Sequence, residues 1–439
     1  MVDAEAESGP AAGHVKARLA MMMVLVYGVQ GSWWPVLAVH LRDLGVSGRG
    51  QGWIFATMAL ASLATPIGVG QLADRRWPTQ RVMAAIFGLG FFWLAFFAFR
   101  SISHTPSLFL IFLSYWLISA PIYGLSASLA FRNLAQPHAE YGAVRLWGTA
   151  GWMAASWVVS GVMAIWAVPD RGAPEAFLVA SVVSALAAGY CLFLPNTPPL
   201  AGGREHRAGW REGLELLRRP GVATYVLAAF GVCLTAPCVY QVLPPMLRDR
   251  GMPVAWVPMA LTLGQFSEIA ALAFLPRLMT WLGYRGTLAL GIACWIMRFG
   301  TLAIEAPIWV ALAGMPLHGM AIACFHVAGQ LYLDTQAPSH LRASSQGLNM
   351  VVCNGVGALV GNVLAGELLG LFPGRYGPIF LVPTLVNLAV LVLFVTTFRP
   401  ERDGEVPSAS SASASLDRVR RAKPVASTRA RRAPDRSRV

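Results

Sequence analysis

Residues 377–398 read Gly-Pro-Ile-Phe-Leu-Val-Pro-Thr-Leu-Val-Asn-Leu-Ala-Val-Leu-Val-Leu-Phe-Val-Thr-Thr-Phe, 22 residues without one charged side chain. Roughly 20 apolar residues in a helix cross the ~30 Å hydrocarbon core of a bilayer. The stretch therefore reads as a membrane span, and it is not alone. Working back toward the N-terminus, similar segments lie near 343–370, 308–333, 285–303, 254–281, 221–247, 174–195, 144–167, 107–131, 79–99, 52–73 and 17–41. The composition agrees: of 439 residues, 56% are hydrophobic and only 13% charged, with mean hydropathy +0.56. An average soluble domain carries about 25% charged residues. An ordinary soluble enzyme is excluded, and so is a disordered chain, which would be polar and charge-rich. The expected fold class is an all-α membrane protein with twelve transmembrane helices.

An even number of spans puts both termini on one side. With a cytoplasmic N-terminus, the inside segments before the tail carry fifteen Lys and Arg and the outside loops seven, Arg42, Arg49, Arg100, Arg171, Arg248, Arg250 and Arg375. The positive-inside rule then assigns both termini to the cytoplasm. The start, with Asp3, Glu5 and Glu7, is acidic where a secretory leader would be basic, and the first apolar run is too long for a cleaved one. Residues 399–439 hold 11 of the 34 basic and 5 of the 21 acidic residues, around the run Ser408-Ala-Ser-Ser-Ala-Ser-Ala-Ser415. Low complexity of this kind is expected to be a disordered, basic cytoplasmic tail. Positive cytoplasmic segments are normal for membrane proteins, so the net charge of +13 is not taken as a nucleic-acid signal.

The longest internal polar stretch, 197–220, ends in Trp210-Arg-Glu-Gly-Leu-Glu-Leu-Leu-Arg-Arg219. It reads as a linker with a short amphipathic helix on the membrane surface. The expected organisation is a cytoplasmic N-terminus (1–16), a six-helix bundle (17–196), the linker (197–220), a second six-helix bundle (221–398) and the tail (399–439). The halves echo each other: Pro121 and Pro316 are 195 residues apart, and Arg145 and Arg342, each opening a span, are 197 apart. Two equivalent six-span halves are the parallel repeat of secondary transporters. The six cysteines all lie in apolar segments and read as small core residues, with no metal or disulfide pattern. No phosphate loop, dinucleotide fingerprint, HExxH or GxSxG is present, which argues against enzyme chemistry and direct ATP coupling.

Ionisable residues inside spans are few, and each is costly unless it faces a polar cavity. Glu268 lies deep in span eight and shares a face with Gln265, three residues earlier. Arg145 opens span five, with Thr149, Trp152 and Ser156 following on one face. A cation, a hydroxyl and an indole suit a planar polar ligand; the competing reading is a positive-inside Arg followed by lipid-facing aromatics. Tyr240 and Gln241 precede Pro244-Pro245, which are expected to break span seven where it lines a cavity. His318 and His326 lie on one broad face of span ten, as ligand contacts or as helix-to-helix hydrogen bonds, and Arg298 is expected to pair structurally.

Gly70-Gln-Leu-Ala-Asp74-Arg75-Arg76, between spans two and three, resembles the signature loop of the major facilitator superfamily. The resemblance implies that Asp74 and Arg75 serve gating, holding the cytoplasmic side closed. Seven further motifs, in order, resemble the nucleoside:proton symporter family. They are Gly31-Ser-Trp33, Pro121 with Gly124-Leu125, Arg145-Leu-Trp-Gly-Thr-Ala-Gly151, Gln265-Phe-Ser-Glu268, Trp295-Ile-Met-Arg298-Phe, Arg342-Ala-Ser-Ser-Gln-Gly347 and Asn354-Gly355. The resemblance spans roughly 17–398 and implies the major facilitator fold, two six-helix bundles. It also implies nucleoside contacts at Arg145, Thr149, Trp152, Gln265 and Glu268. Span ten departs from the pattern: Ile322 and Ala323 stand where the family has an aromatic and an Asp, and Tyr240 and Gln241 only approximate the family's span-seven pair.

The expectation is a secondary active transporter of the cell inner membrane, importing nucleosides or a similar small polar solute with protons. Substrate binding falls to Arg145, Thr149, Trp152, Tyr240, Gln241, Gln265, Glu268 and His318, and proton coupling to Glu268. No catalytic residue, metal or cofactor is expected. The partners are a small-molecule substrate, protons and the lipid bilayer, with the chain acting as a monomer. The rival readings are a uniporter or exporter of a sugar or drug on the same fold, and a membrane receptor that transports nothing.

Overall fold

The computed structural model describes residues 10–64, 77–166, 173–199, 214–338 and 341–399, all within one compact unit, residues 1–400. Among the described residues there is no strand. Ten helical runs are long and apolar enough to span a bilayer. They are α1 (Gly13–Asp43), α3 (Thr79–Phe99), α4 (Thr105–Asn133), α5 (Glu140–Trp166), α6 (Pro174–Cys191), α7 (Pro220–Asp249), the run Val254–Ala303, α10 (Ile308–Gln336), α11 (Ser344–Leu371) and α12 (Tyr376–Thr397). The 254–303 run is two helices meeting at Gly283, whose φ of +59 no helix tolerates; we label them α8 (254–282) and α9 (284–303). Gly264 of α8 and Arg298 of α9 both lie against the 315–318 segment of α10, so the two arms run antiparallel. With α2 (Gly48–Ala64), the spans among the described residues number twelve.

Pro10 and Arg399 lie at one end of the bundle, the terminal face, together with the connections at 134–136 and 192–199 and residues 337–338. The turns at 44–47, 100–104, 250–253, 304–307 and 372–375 form the opposite face. Two hydrophobic cores hold the helices. One draws on α1 to α6, from Leu19 to Leu194, with Ala255 of α8, and the other on 216–398. Large apolar side chains point outward as well: Phe92 is 69% exposed and Ile165 75%. A soluble protein would not display such a surface; a bilayer requires it. The chain is a multi-pass membrane protein with the major facilitator fold.

Helices of the same half approach closely where side chains are small. Ser156, expected on the ligand-facing stripe, instead donates to Gly31 O (2.9 Å), and a Cβ on Gly31 would come within 2.7 Å of Trp152 O. Span seven breaks at Val242, just before Pro244-Pro245 as expected, and also at Ala236-Pro237. Pro244 and Pro245 sit in the first turn of the Leu243–Asp249 segment, where a missing N–H costs little. α10 and α11 each contain a π-helical turn, Ile322–Val327 and Val351–Gly357, a feature that clusters at functional sites. Of the linker, only Leu214–Arg218 is described as helical, and it is a 3₁₀ turn. The start of the expected surface helix (210–213), the linker residues 200–209 before it, the first nine residues and the tail from residue 400 lie outside the described residues.

Candidate substrate-binding site

Between the two cores lies a cavity of ≈ 630 Å³, within the usual range for small-molecule sites. Its first-half wall comes from α1 (Tyr27, Gln30, Trp34), α2 (Phe55, Met58, Ser62), α4 (Tyr123, Gly124) and α5 (Arg145, Thr149, Trp152). The second-half wall comes from α7 (Pro237, Tyr240), α8 (Gln265, Glu268), α9 (Trp295), α10 (His318, Ile322, His326) and α11 (Met350, Asn354, Asn362). Both π turns open onto it, through Ile322 and His326 and through Cys353 and Asn354.

Seven of the eight residues expected to bind substrate line this cavity: Arg145, Thr149, Trp152, Tyr240, Gln265, Glu268 and His318. Gln241 does not. It is fully buried, and its amide nitrogen donates to Asn362 Oδ1 (2.5 Å), tying α7 to α11 behind Tyr240. Asp74 and Arg75 lie outside the described residues.

Arg145 is held by a neighbour that the sequence did not reveal: its guanidinium carbon sits 3.9 Å above the centre of the Tyr27 ring. Tyr27 in turn packs on Tyr123 (5.3 Å between centroids), whose hydroxyl donates to Gln30 Oε1. This chain of rings and amides crosses α1, α4 and α5 and fixes the Arg145 fork through a cation–π contact. Trp34, Trp152 and Tyr240 form an aromatic patch across both halves, with Tyr240 6.3 Å from Trp34 and 6.2 Å from Trp152. Such rings offer flat faces to a planar base.

Glu268 engages no side chain by hydrogen bond or ion pair among the described residues, although it lies within the field of Arg145 on the opposite wall. A carboxyl free of fixed partners is open to a proton or to a ligand. Gln265, with its amide oriented to satisfy its neighbours, donates to Leu261 O (2.8 Å) and Thr262 O (3.2 Å), and its side chain also engages the Tyr240 hydroxyl. The far wall holds unmet hydrogen-bonding capacity: Trp295 Nε1, His318 Nδ1 and His326 Nε2 are buried without partners among the described residues. Buried polar atoms are almost always paired, so these three are candidates for ligand contact. Arg298, 2% exposed, does not reach the cavity and donates to Gly314 O (3.3 Å) and weakly to Met315 O (3.5 Å). Ala323 is buried, and only Ile322 of that pair faces the cavity. No group of three His, Cys, Asp or Glu that could hold a metal occurs among the described residues.

Residues 14–403 match the family model for the nucleoside H⁺ symporters. The chain belongs to the nucleoside H⁺ symporter family. Among curated proteins it is 30% identical over 364 residues to YegT of Escherichia coli (strain K12), a provisionally named nucleoside transporter, with 80% of this chain and 84% of YegT covered. It is 26% identical over 419 residues to the xanthosine permease of the same organism, covering 89% of this chain and 97% of the permease. The crystal structure of the nucleoside transporter NupG superimposes with a TM-score of 0.77 at 19% identity, covering 88% of this chain and all of NupG, which establishes the shared fold. The chain is thus a transporter of this symporter family and not an enzyme.

Proposed function

We propose that this protein imports nucleosides together with protons across the bacterial inner membrane, as a monomer with both termini in the cytoplasm. The observation that carries this reading is the convergence of seven expected contact residues, drawn from four helices of both halves, on one cavity. Arg145, Thr149 and Gln265 supply hydrogen bonds to sugar and base, Trp152 and Tyr240 the stacking surface, and His318 a further polar contact. Glu268 carries the coupled proton. Asp74 and Arg75 gate the cytoplasmic side, as their likeness to the superfamily loop implies. The named substrates of the xanthosine permease and NupG support the nucleoside class. In alternating access the two halves rock about this central site, which faces one side of the membrane at a time.

Uptake of radiolabelled uridine, adenosine, xanthosine and a hexose should be compared in cells lacking their own carriers. A nucleoside should accumulate well above vector, and a protonophore should abolish the accumulation. Accumulation of the hexose with no nucleoside above vector would refute the reading.

A further inference from the structure

Residues 41–46 read Leu-Arg-Asp-Leu-Gly-Val and residues 247–252 read Leu-Arg-Asp-Arg-Gly-Met, the same Leu-Arg-Asp-x-Gly pattern 206 residues apart. The two copies end α1 and α7 at the opposite face, and they end them identically. Gly45 N donates to Arg42 O (2.9 Å) and Val46 N to Leu41 O (3.0 Å); Gly251 N donates to Arg248 O (2.9 Å) and Met252 N to Leu247 O (3.0 Å). The glycines sit at φ +77 and +89. This is the Schellman helix stop, in which a left-handed residue lets the chain turn back on the last carbonyls.

The two turns meet across the boundary between the halves, each pairing with the other's charges. Arg42 forks onto Asp249, Nη2 to Oδ1 at 2.6 Å and Nη1 to Oδ2 at 2.9 Å. In return, Arg248 Nη1 binds Asp43 Oδ1. Tyr376 donates to Asp249 Oδ2 (2.6 Å), bringing α12 into the network. Beneath the ion pairs, residues 37–41 and 243–247 are buried. Each half contributes one Arg and one Asp, so the surface is self-complementary in the manner of a two-fold interface.

We propose that the two Leu-Arg-Asp-x-Gly turns form a reciprocal ion-pair clasp that holds the opposite face shut and is released once in each transport cycle. The chemistry suits a contact that must open repeatedly. The Arg42 and Asp249 side chains are 34% and 38% exposed, so the charges keep part of their hydration when paired and regain the rest when the halves separate. Exposed pairs are individually weak, worth roughly 0–1 kcal/mol, while the fork geometry fixes register. Because each half is neutral at the clasp, opening leaves no uncompensated charge on either side.

The test uses the full-length protein in nanodiscs, with spin labels at Ser103→Cys and Ile304→Cys. These are exposed rim positions on the two halves, outside the clasp, and the six native cysteines are buried. Double electron–electron resonance should show one short-distance population in the otherwise unaltered protein. Arg42→Asp sets two carboxylates against each other and should raise the ratio of long to short distances about fivefold or more. The exchange Arg42→Asp with Asp249→Arg should restore the original distribution, and about 1 M salt should mimic the single reversal in part. An unchanged distribution in Arg42→Asp, or an exchange variant as open as the single one, would overturn the proposal. Matching thermal midpoints of the single and exchange variants exclude simple misfolding. No substrate enters the measurement, so failure of the nucleoside assignment would leave its outcome untouched.

Discussion

In the proposed mechanism, coupling turns on Glu268. It stands in the cavity wall without a fixed partner among the described residues, in the field of Arg145. A protonated carboxyl is neutral and tolerable in a closed dry site, while an ionised one needs water or a cation. Glu268→Gln keeps shape and hydrogen-bonding capacity but removes the titration. In vesicles with an imposed proton gradient this variant should lose accumulation of nucleoside while retaining exchange and binding. Accumulation equal to the unaltered protein across pH 5.5–8 would remove Glu268 from coupling. At this scale the sequence told residue type better than direction. Glu268 and Arg145 stood out because a charge in an apolar run demands an explanation. The partnership of Arg145 with Tyr27, 118 positions away in the chain, left no trace in local spacing. Gln241 beside Tyr240 looked equivalent to it, yet successive helix positions diverge by about 100°, and only one of them meets the cavity.

At the level of helices, hydropathy located the spans because a bilayer permits no ambiguity: a segment either satisfies its own backbone or does not cross. Rotation about each axis was harder to read, because a span that is apolar all round has no polar face to set its phase. Close approaches carry more information. Gly48 and Gly52 of α2 meet Gly366 of α11 across the halves, and a Cβ on Gly366 would lie 2.6 Å from Gly52 Cα and 2.8 Å from Gly48 O. Arg49 and Glu367 close the crossing with a 2.8 Å ion pair. Gly→Ala within a helix ordinarily stabilises by about 0.5–1 kcal/mol, but overpacking two backbones costs about 1–3 kcal/mol. Gly366→Ala should therefore lower the thermal midpoint in detergent and slow uptake. Gly161→Ala, where a Cβ meets nothing within 4 Å, should hold or raise the midpoint. Equal midpoints for the two variants would show that α2 and α11 have room to spare.

In the whole molecule, each half keeps its own core, and the buried apolar side chains of α1 to α6 pack mostly with one another, joined from the second half by Ala255, with Tyr240 and Val254 against them. Otherwise, what joins the halves is of another kind: ion pairs, a glycine crossing, the Trp157 to Thr262 hydrogen bond (2.9 Å) and the rings around the cavity. Continuity of the chain between them is then a convenience of synthesis more than a condition of folding. A gene cut at codon 206 would yield two fragments, each able to bury its own apolar surface and insert into the bilayer unaided. Co-expressed, they should find each other by their complementary faces, co-purify through a tag on either one, and restore a substantial part of the uptake of the intact chain. Either fragment alone should be inert, since each carries only one wall of the cavity. Two insoluble fragments that never associate would mean that the cores depend on each other after all. Reassembly would mark the protein as a covalent heterodimer, one gene holding two subunits that could once have been made apart.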